Sequence, residues 1–201
     1  MADMHASPAS PSVIRRADYR PPDWLVPDIA LDFDLDPACT RVRATLMVTR
    51  NGGHDRPLRL DGDGLIPLEV RIDGELATPD LWHMEAGSLS VALSGSAHSV
   101  ETLVELAPEA NSKLMGLYAS GGLLCTQCEA EGFRRITFFP DRPDILSRYD
   151  VTLRADKARF PILLSNGDPV EQGEGDAGQH WARWSIPSPS LVTCSRWSLP
   201  T

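Results

Sequence analysis

The sequence predicts an all-β domain: a saddle-shaped antiparallel β-sandwich with very little helix. Three observations point there. Apolar and polar residues alternate with period two through several segments, which gives each strand one buried and one wet face. Turn signals, namely Asn51-Gly52-Gly53, Asp73-Gly74 and Asn166-Gly167, punctuate those segments,. Proline is abundant, 17 of 201 residues, and each interior proline breaks a helix.

The elements follow in chain order. Residues 1–17 are rich in Ser, Pro and Ala, lack periodicity, and are expected to be a disordered lead,. Ile29, Leu31, Phe33 and Leu35 alternate with Ala30, Asp32, Asp34 and Asp36 in a first long strand. Val42, Ala44, Leu46 and Val48 alternate with Arg43, Thr45, Met47 and Thr49 in a second. Leu68, Val70 and Ile72 form an apolar row that closes on the hairpin dipeptide Asp73-Gly74,. Residues 89–93 and 100–106 make two further strands, and residues 135–139, 151–155, 161–164 and 181–184 read as strands too. Pro143 to Arg148 has room for one helical turn, with proline near its start,. The β domain is expected to span 18–186.

Composition narrows the function classes. Hydrophobic residues are 42% and charged residues 23% of the chain, the balance of a globular domain with a core,. The net charge is −9. A nucleic-acid binder needs a basic face to neutralise phosphates, so nucleic acid is not an expected partner. Nor is a membrane, because no apolar run reaches the roughly 18 residues that span a bilayer. The opening Met1-Ala2-Asp3-Met4-His5 lacks the basic-then-apolar plan of a signal peptide,. Four cysteines are too sparse for a disulfide scaffold, so free thiols and a cytoplasmic location are expected,.

The sharpest local pattern is Cys125-Thr126-Gln127-Cys128. Cys-x-x-Cys is half of a zinc site or a redox pair. A zinc site needs a second pair, and the later candidates, His180 and Cys194, stand at no recognisable spacing. A thioredoxin-like pair needs a βαβ context, which is missing. Glu129 and Glu131 are alternate carboxylates, which point the same way if the chain is extended and can pair with Arg134 and Arg135,. The five histidines are scattered, no Gly-x-Ser-x-Gly elbow is present, and Gly121-Gly122 lacks the lysine or third glycine of a phosphate loop,.

The run Leu124-Cys-Thr-Gln-Cys-Glu-Ala-Glu-Gly-Phe-Arg134 closely resembles the amino-terminal domain of the bacterial aminopeptidase N family, zinc metallopeptidases of the gluzincin group. Asp18-Tyr-Arg-Pro-Pro-Asp-Trp24, Leu31-Asp-Phe-Asp-Leu35, Asp141-Arg-Pro-Asp-Ile-Leu146 and Phe160-Pro-Ile-Leu-Leu-Ser-Asn-Gly167 are similar to further signatures of that domain. The resemblance implies an all-β domain that packs on a thermolysin-like catalytic domain and lends residues to its active site. It implies that Glu129 accepts hydrogen bonds from a substrate's free α-ammonium and that Gln127 lines the same first-residue pocket. The partner would be the N-terminus of a peptide.

Two departures from the family stand beside the resemblance. The zinc motif H-E-x-x-H and the substrate motif G-A-M-E-N are absent from the 201 residues. No cofactor is therefore expected in this chain, although full-length relatives use zinc, and the chain alone is expected to be inactive. The apolar surface that should meet the missing catalytic domain would favour self-association. The alternative is a free-standing β-sandwich binding module with no part in peptide hydrolysis. The second departure is the end. One choice of synonymous codons for residues 187–198, read two bases out of frame, encodes Phe-Pro-Lys-Pro-Cys-Tyr-Leu-Phe-Ala-Leu-Val, the continuation expected of the family. Residues 187–201 are thus expected to be a frameshifted tail. Sequencing the DNA beyond codon 184 tests this: the shifted frame should encode G-A-M-E-N and H-E-x-x-H, and a frame without them overturns the expectation.

Overall fold

The computed structural model of the chain describes residues 15–85 and 87–191. Among these residues thirteen strands follow one another, and no described helix exceeds three residues. They are β1 (Trp24–Asp34), β2 (Thr40–Arg50), β3 (Leu58–Asp61), β4 (Pro67–Ile72), β5 (Glu75–Leu76), β6 (Trp82–Glu85) and β7 (Ser88–Val91). The rest are β8 (Ala97–Leu106), β9 (Gly116–Ser120), β10 (Leu123–Gln127), β11 (Ser147–Asp156), β12 (Asp168–Glu174) and β13 (Gln179–Ser190). No described helix is long and apolar enough to cross a membrane.

Eight strands form one sheet in the order β12-β13-β11-β1-β2-β8-β4-β5. Three more pair as β3-β7-β6, and β9 and β10 form a hairpin of their own. Among the described residues every strand pairing is antiparallel except one: β1 runs parallel to β11, with Leu31 opposite Val151.

Alternation builds this sheet as expected. Ile29, Leu31 and Phe33 of β1, and Val42, Ala44, Leu46 and Val48 of β2, all lie in one buried cluster. Val100 and Val104 of β8 and Tyr149, Val151, Leu153 and Ala155 of β11 continue the same face. Leu58, Leu60, Leu89 and Val91 join it from the three-stranded sheet. The opposite face carries ion pairs between neighbouring strands, including Arg41–Glu105 at 3.3 Å, Arg148–Asp28 at 2.6 Å and Arg183–Asp150 at 3.3 Å. Burial on one side and paired charge on the other fixes the register, since a one-residue slip would exchange them.

Bulges change that phase at defined places. Between Leu25 and Asp28, β1 has one residue more than β2, so Trp24 and Val26 are buried before the bulge and Ile29 after it. Pro27 sits within it, where the missing N–H breaks no regular ladder bond,. A second bulge lies between Pro67 and Glu69 of β4. It turns Leu68 outward, to 55% exposure, while Val70 remains buried at 2%. The expected inward row Leu68-Val70-Ile72 is therefore broken at its first member.

Two other expected strands are not formed. Residues 161–164 run without strand pairing, and residues 135–139 contain the end of a 3-10 turn (Phe133–Arg135) and a single bridge between Asp61 and Phe139. Ile136, Thr137, Phe138 and Phe139 are all buried in succession, but only Phe139 makes a bridge, so the segment is covered on all sides without joining a ladder. Pro143 and Asp144 make a turn rather than a helix. The turn at Asp73-Gly74 is as expected, with φ of +53° and +85° closing β4 onto β5. Strand β13 continues to Ser190, with Pro187 and Pro189 where its pairing with β11 slips. Of the segments read as lead and tail, residues 1–14 and 192–201 lie outside the described residues.

Urea unfolding checks the phase of these strands. Leu46→Ala removes a fully buried side chain and is expected to cost about 2–5 kcal/mol. Leu68→Ala should change stability by no more than about 0.5 kcal/mol. Equal costs would place Leu68 inside and contradict the bulge.

Candidate functional site

The site motif begins on the β9–β10 hairpin. Ser120 pairs with Leu123, leaving Gly121-Gly122 as a two-residue turn with φ of +58° and +81°. A turn positive at both positions matches strand twist and favours glycine. These glycines thus set a hairpin, and they are a signal the sequence carried. Along β10 burial alternates: Leu124 and Thr126 point to the core, while Leu123, Cys125 and Gln127 are half-buried on the other side. Cys128, the next residue, is again buried, at 4% exposure. Cys125 is half-buried on β10, and Cys128 is buried where the strand ends and the turn begins.

After Gln127 the chain turns. The Gly132 N–H donates to the Cys128 carbonyl at 2.5 Å, and the Phe133–Arg135 3-10 turn follows directly. Glu129 and Glu131 therefore stand on a tight turn, and the extended spacing that would align them is absent. The peptide bond between Glu129 and Ala130 is cis. Gln127 Nε2 donates to the Glu129 carbonyl at 3.3 Å, which joins the two expected site residues.

The carboxylates on this turn differ. Glu131 meets Arg134 at 3.4 Å. The Glu129 side chain is exposed and, among the described residues, meets no cation. The expected pairing with following arginines therefore holds for Glu131 alone. Grooves of about 630 Å³ beside β12 and β13 and about 360 Å³ beside Trp24 are not lined by Gln127 or Glu129. These two stand on open surface.

Below the turn the side chains are closely interlocked. The Phe133 ring meets Phe139 edge-on at 5.2 Å and Tyr149 at 6.5 Å. Arg134 binds Asp141 three ways: its backbone N–H and Nε reach Oδ2 at 3.2 and 3.1 Å, and its terminal nitrogen reaches the Asp141 carbonyl at 2.9 Å. Asp141 N–H donates to Asp61 at 3.1 Å, and Asp63 N–H donates to the Arg134 carbonyl at 2.8 Å. Burial pushes the Asp141 carboxyl above its ordinary range, and the bonds from Arg134 oppose that,. Arg134 and Asp141 both stood in sequence motifs, yet their pairing was not legible. A buried carboxylate demands a partner, but burial itself is a tertiary fact.

Zinc does not fit the described residues: no group of three or more His, Cys, Asp or Glu among them could hold a metal ion.

Comparison with known proteins gives a consistent family. A family model described as the Peptidase M1 N-terminal domain matches residues 75–190. Aminopeptidase N of Caulobacter vibrioides is 49% identical over 180 residues, which is 90% of this chain and 21% of that protein. Aminopeptidase N of Escherichia coli is 46% identical over 179 residues, 89% of this chain and 20% of that protein. The chain thus spans about a fifth of these relatives. The crystal structure of Legionella pneumophila aminopeptidase A in complex with aspartic acid matches with TM-score 0.83 and 29% identity, over 91% of this chain and 22% of that one. An M1 zinc metallopeptidase from Deinococcus radiodurans matches with TM-score 0.72 over 89% of this chain and 42% of that one, at 17% identity, and so shares the fold.

Gly132 tests the geometry of the turn. A Cβ placed there would lie 2.5 Å from the Gln127 carbonyl and 2.8 Å from Cys128 Cα. Both are backbone atoms, so the turn itself must shift. Gly132→Ala is expected to cost about 1–3 kcal/mol and to move the backbone amide signals of residues 127–131. An unchanged amide spectrum would contradict the tight turn.

Proposed function

Because the chain belongs to the Peptidase M1 N-terminal domain family, we propose that it is the substrate-anchoring β domain of a zinc aminopeptidase. In this reading the chain holds the N-terminal end of a peptide and a separate catalytic domain cleaves it. The carrying observation is the Glu129 carboxylate, exposed beside Gln127 and free of any side-chain cation among the described residues.

The chemistry follows from charge. A substrate's α-ammonium is a compact cation with three donors, and a carboxylate accepts them in charge-assisted hydrogen bonds. At ~4 Å such a pair gains ~1 kcal/mol in water and ~4 kcal/mol at the effective dielectric of a protein surface. Docking of a second domain over Glu129 excludes water and moves the site toward the stronger limit. An internal peptide bond carries no charge and gains nothing there, so the anchor selects chain ends. Gln127 braces the turn through the Glu129 carbonyl and leaves the carboxylate to the ligand. In relatives of this type, zinc supplies an activated water. No hydrolytic step is assigned to the described residues, which offer the metal no seat.

The same reading covers partner and location. The catalytic domain is the main partner, and in its absence exposed apolar side chains such as Ile66, Leu76 and Leu114 favour self-association,. Four cysteines in 201 residues suit a reducing compartment, the cytoplasm,.

Two measurements test the proposal. In the full-length enzyme carrying this domain, Glu129→Gln should lower kcat/KM for an aminoacyl nitroanilide about 10- to 100-fold, since the anion that pairs with the ammonium becomes a neutral amide. A rate near normal would show that the anchor lies elsewhere. The chain alone, with or without added zinc, should release no nitroaniline. Sustained turnover that Glu129→Gln abolishes would overturn the division of labour.

A further inference from the structure

Two carboxylates, Glu129 and Glu131, stand on one tight turn two residues apart, yet their surroundings differ. Glu131 lines a groove with Arg59, Asp61, Asp63, Met84 and Arg134. Its Oε2 lies 3.4 Å from the Arg134 guanidinium. Neither of these applies to Glu129.

Arg134 cannot swing toward Glu129 at little cost. Its side chain is 23% exposed and the Asp141 side chain 8%. The guanidinium holds both the Asp141 carboxylate and the Asp141 carbonyl, and the main chain of Arg134 is tied at its N–H and its carbonyl. Asp61 lies 4.0 Å away on the same side. A planar fork with five donors suits this task, and a lysine ammonium cannot reproduce it.

We propose that Arg134 is a positioning residue that divides the roles of the two carboxylates, holding Glu131 on the groove side and leaving Glu129 as the anion open to a ligand ammonium. This rests on the reading of Glu129 as the ammonium anchor. One cation thereby does two things. It keeps a second negative charge from competing for the ligand, and it fixes the turn from which Glu129 projects.

Steady-state kinetics of the full-length enzyme with an aminoacyl nitroanilide test the assignment. Glu131→Gln alters an exposed residue and should fold normally. It is expected to change KM less than twofold. Arg134→Lys keeps the charge against Asp141 and loses the fork. It is expected to raise KM about 3- to 10-fold with kcat within twofold. In a Glu129→Gln background the same Arg134→Lys change should leave KM within twofold, because the group it positions is gone.

Three results would overturn the proposal. One is a KM rise for Glu131→Gln as large as that for Glu129→Gln, which would make both carboxylates anchors. The second is an Arg134→Lys effect of equal size in both backgrounds, which would make Arg134 merely structural. The third is a fall in kcat at unchanged KM. A normal KM for Glu129→Gln alone is a different failure, because it removes the anchor itself.

Discussion

One topological constraint organises the molecule: β11 lies parallel to β1, on the far side of it from β8. Strands β1, β2 and β8 alternate in direction, so β8 and β11 run the same way. Parallel strands cannot be joined by a hairpin and need a crossover. Three strand spacings separate β8 from β11 in the sheet order, about 14 Å at ~4.8 Å each. Residues 107–146 make this journey. They fill the buried cluster with Leu117, Leu124, Phe133, Ile136, Phe138, Phe139 and Ile145. The candidate site is a turn on this crossover. Its stiffness is the stiffness of the core, because Phe133, packed edge-on to Phe139 and Tyr149, and Arg134, paired with Asp141, anchor the turn from below.

That origin explains what the sequence made legible. Rows such as Val42-Ala44-Leu46-Val48 obey a rule with one variable, face, so period two alone placed them correctly. A crossover obeys no such rule. Ile136, Phe138 and Phe139 are apolar, and Thr137 between them is buried too, because the segment is surrounded; its composition imitates a strand without the ladder of one. Bulges disturb the same rule more subtly. One extra residue near Leu68 is enough to reverse its face, and the signal for it, Pro67 at the strand's start, is compatible with a bulge without fixing which residue is displaced,.

The candidate site residues came from the sequence, and their arrangement did not. Gln127 and Glu129 were reached through a resemblance carried by an eleven-residue run. The glycines of that region announced turns, and Gly121-Gly122 could have been read as a hairpin from its flanking apolar runs. What could not be read was the difference between Glu129 and Glu131. It depends on Arg134, whose direction is set by Asp141 seven residues later and by Asp61 at the end of β3. Interactions that span the fold have no signature in spacing.

The distribution of charge gives the difference its meaning. The chain carries a net charge of −9, so an unpaired carboxylate is not in itself remarkable as a count. Position decides. On the outer face of the large sheet, arginines of β2, β4, β11 and β13 stand within ion-pair distance of carboxylates across the strands, as Arg43 with Glu101 and Arg154 with Asp32 do. Exposed pairs of this kind contribute about 0–1 kcal/mol each, so their main effect is to occupy the charges. An incoming cation at those sites must displace a resident arginine. At Glu129 it displaces only water. Exposed carboxylates such as Glu75 and Glu171 also meet no cation among the described residues, so an open carboxylate only admits the ligand; the selectivity of the proposed anchor comes from Gln127 beside it and from the domain that closes over it.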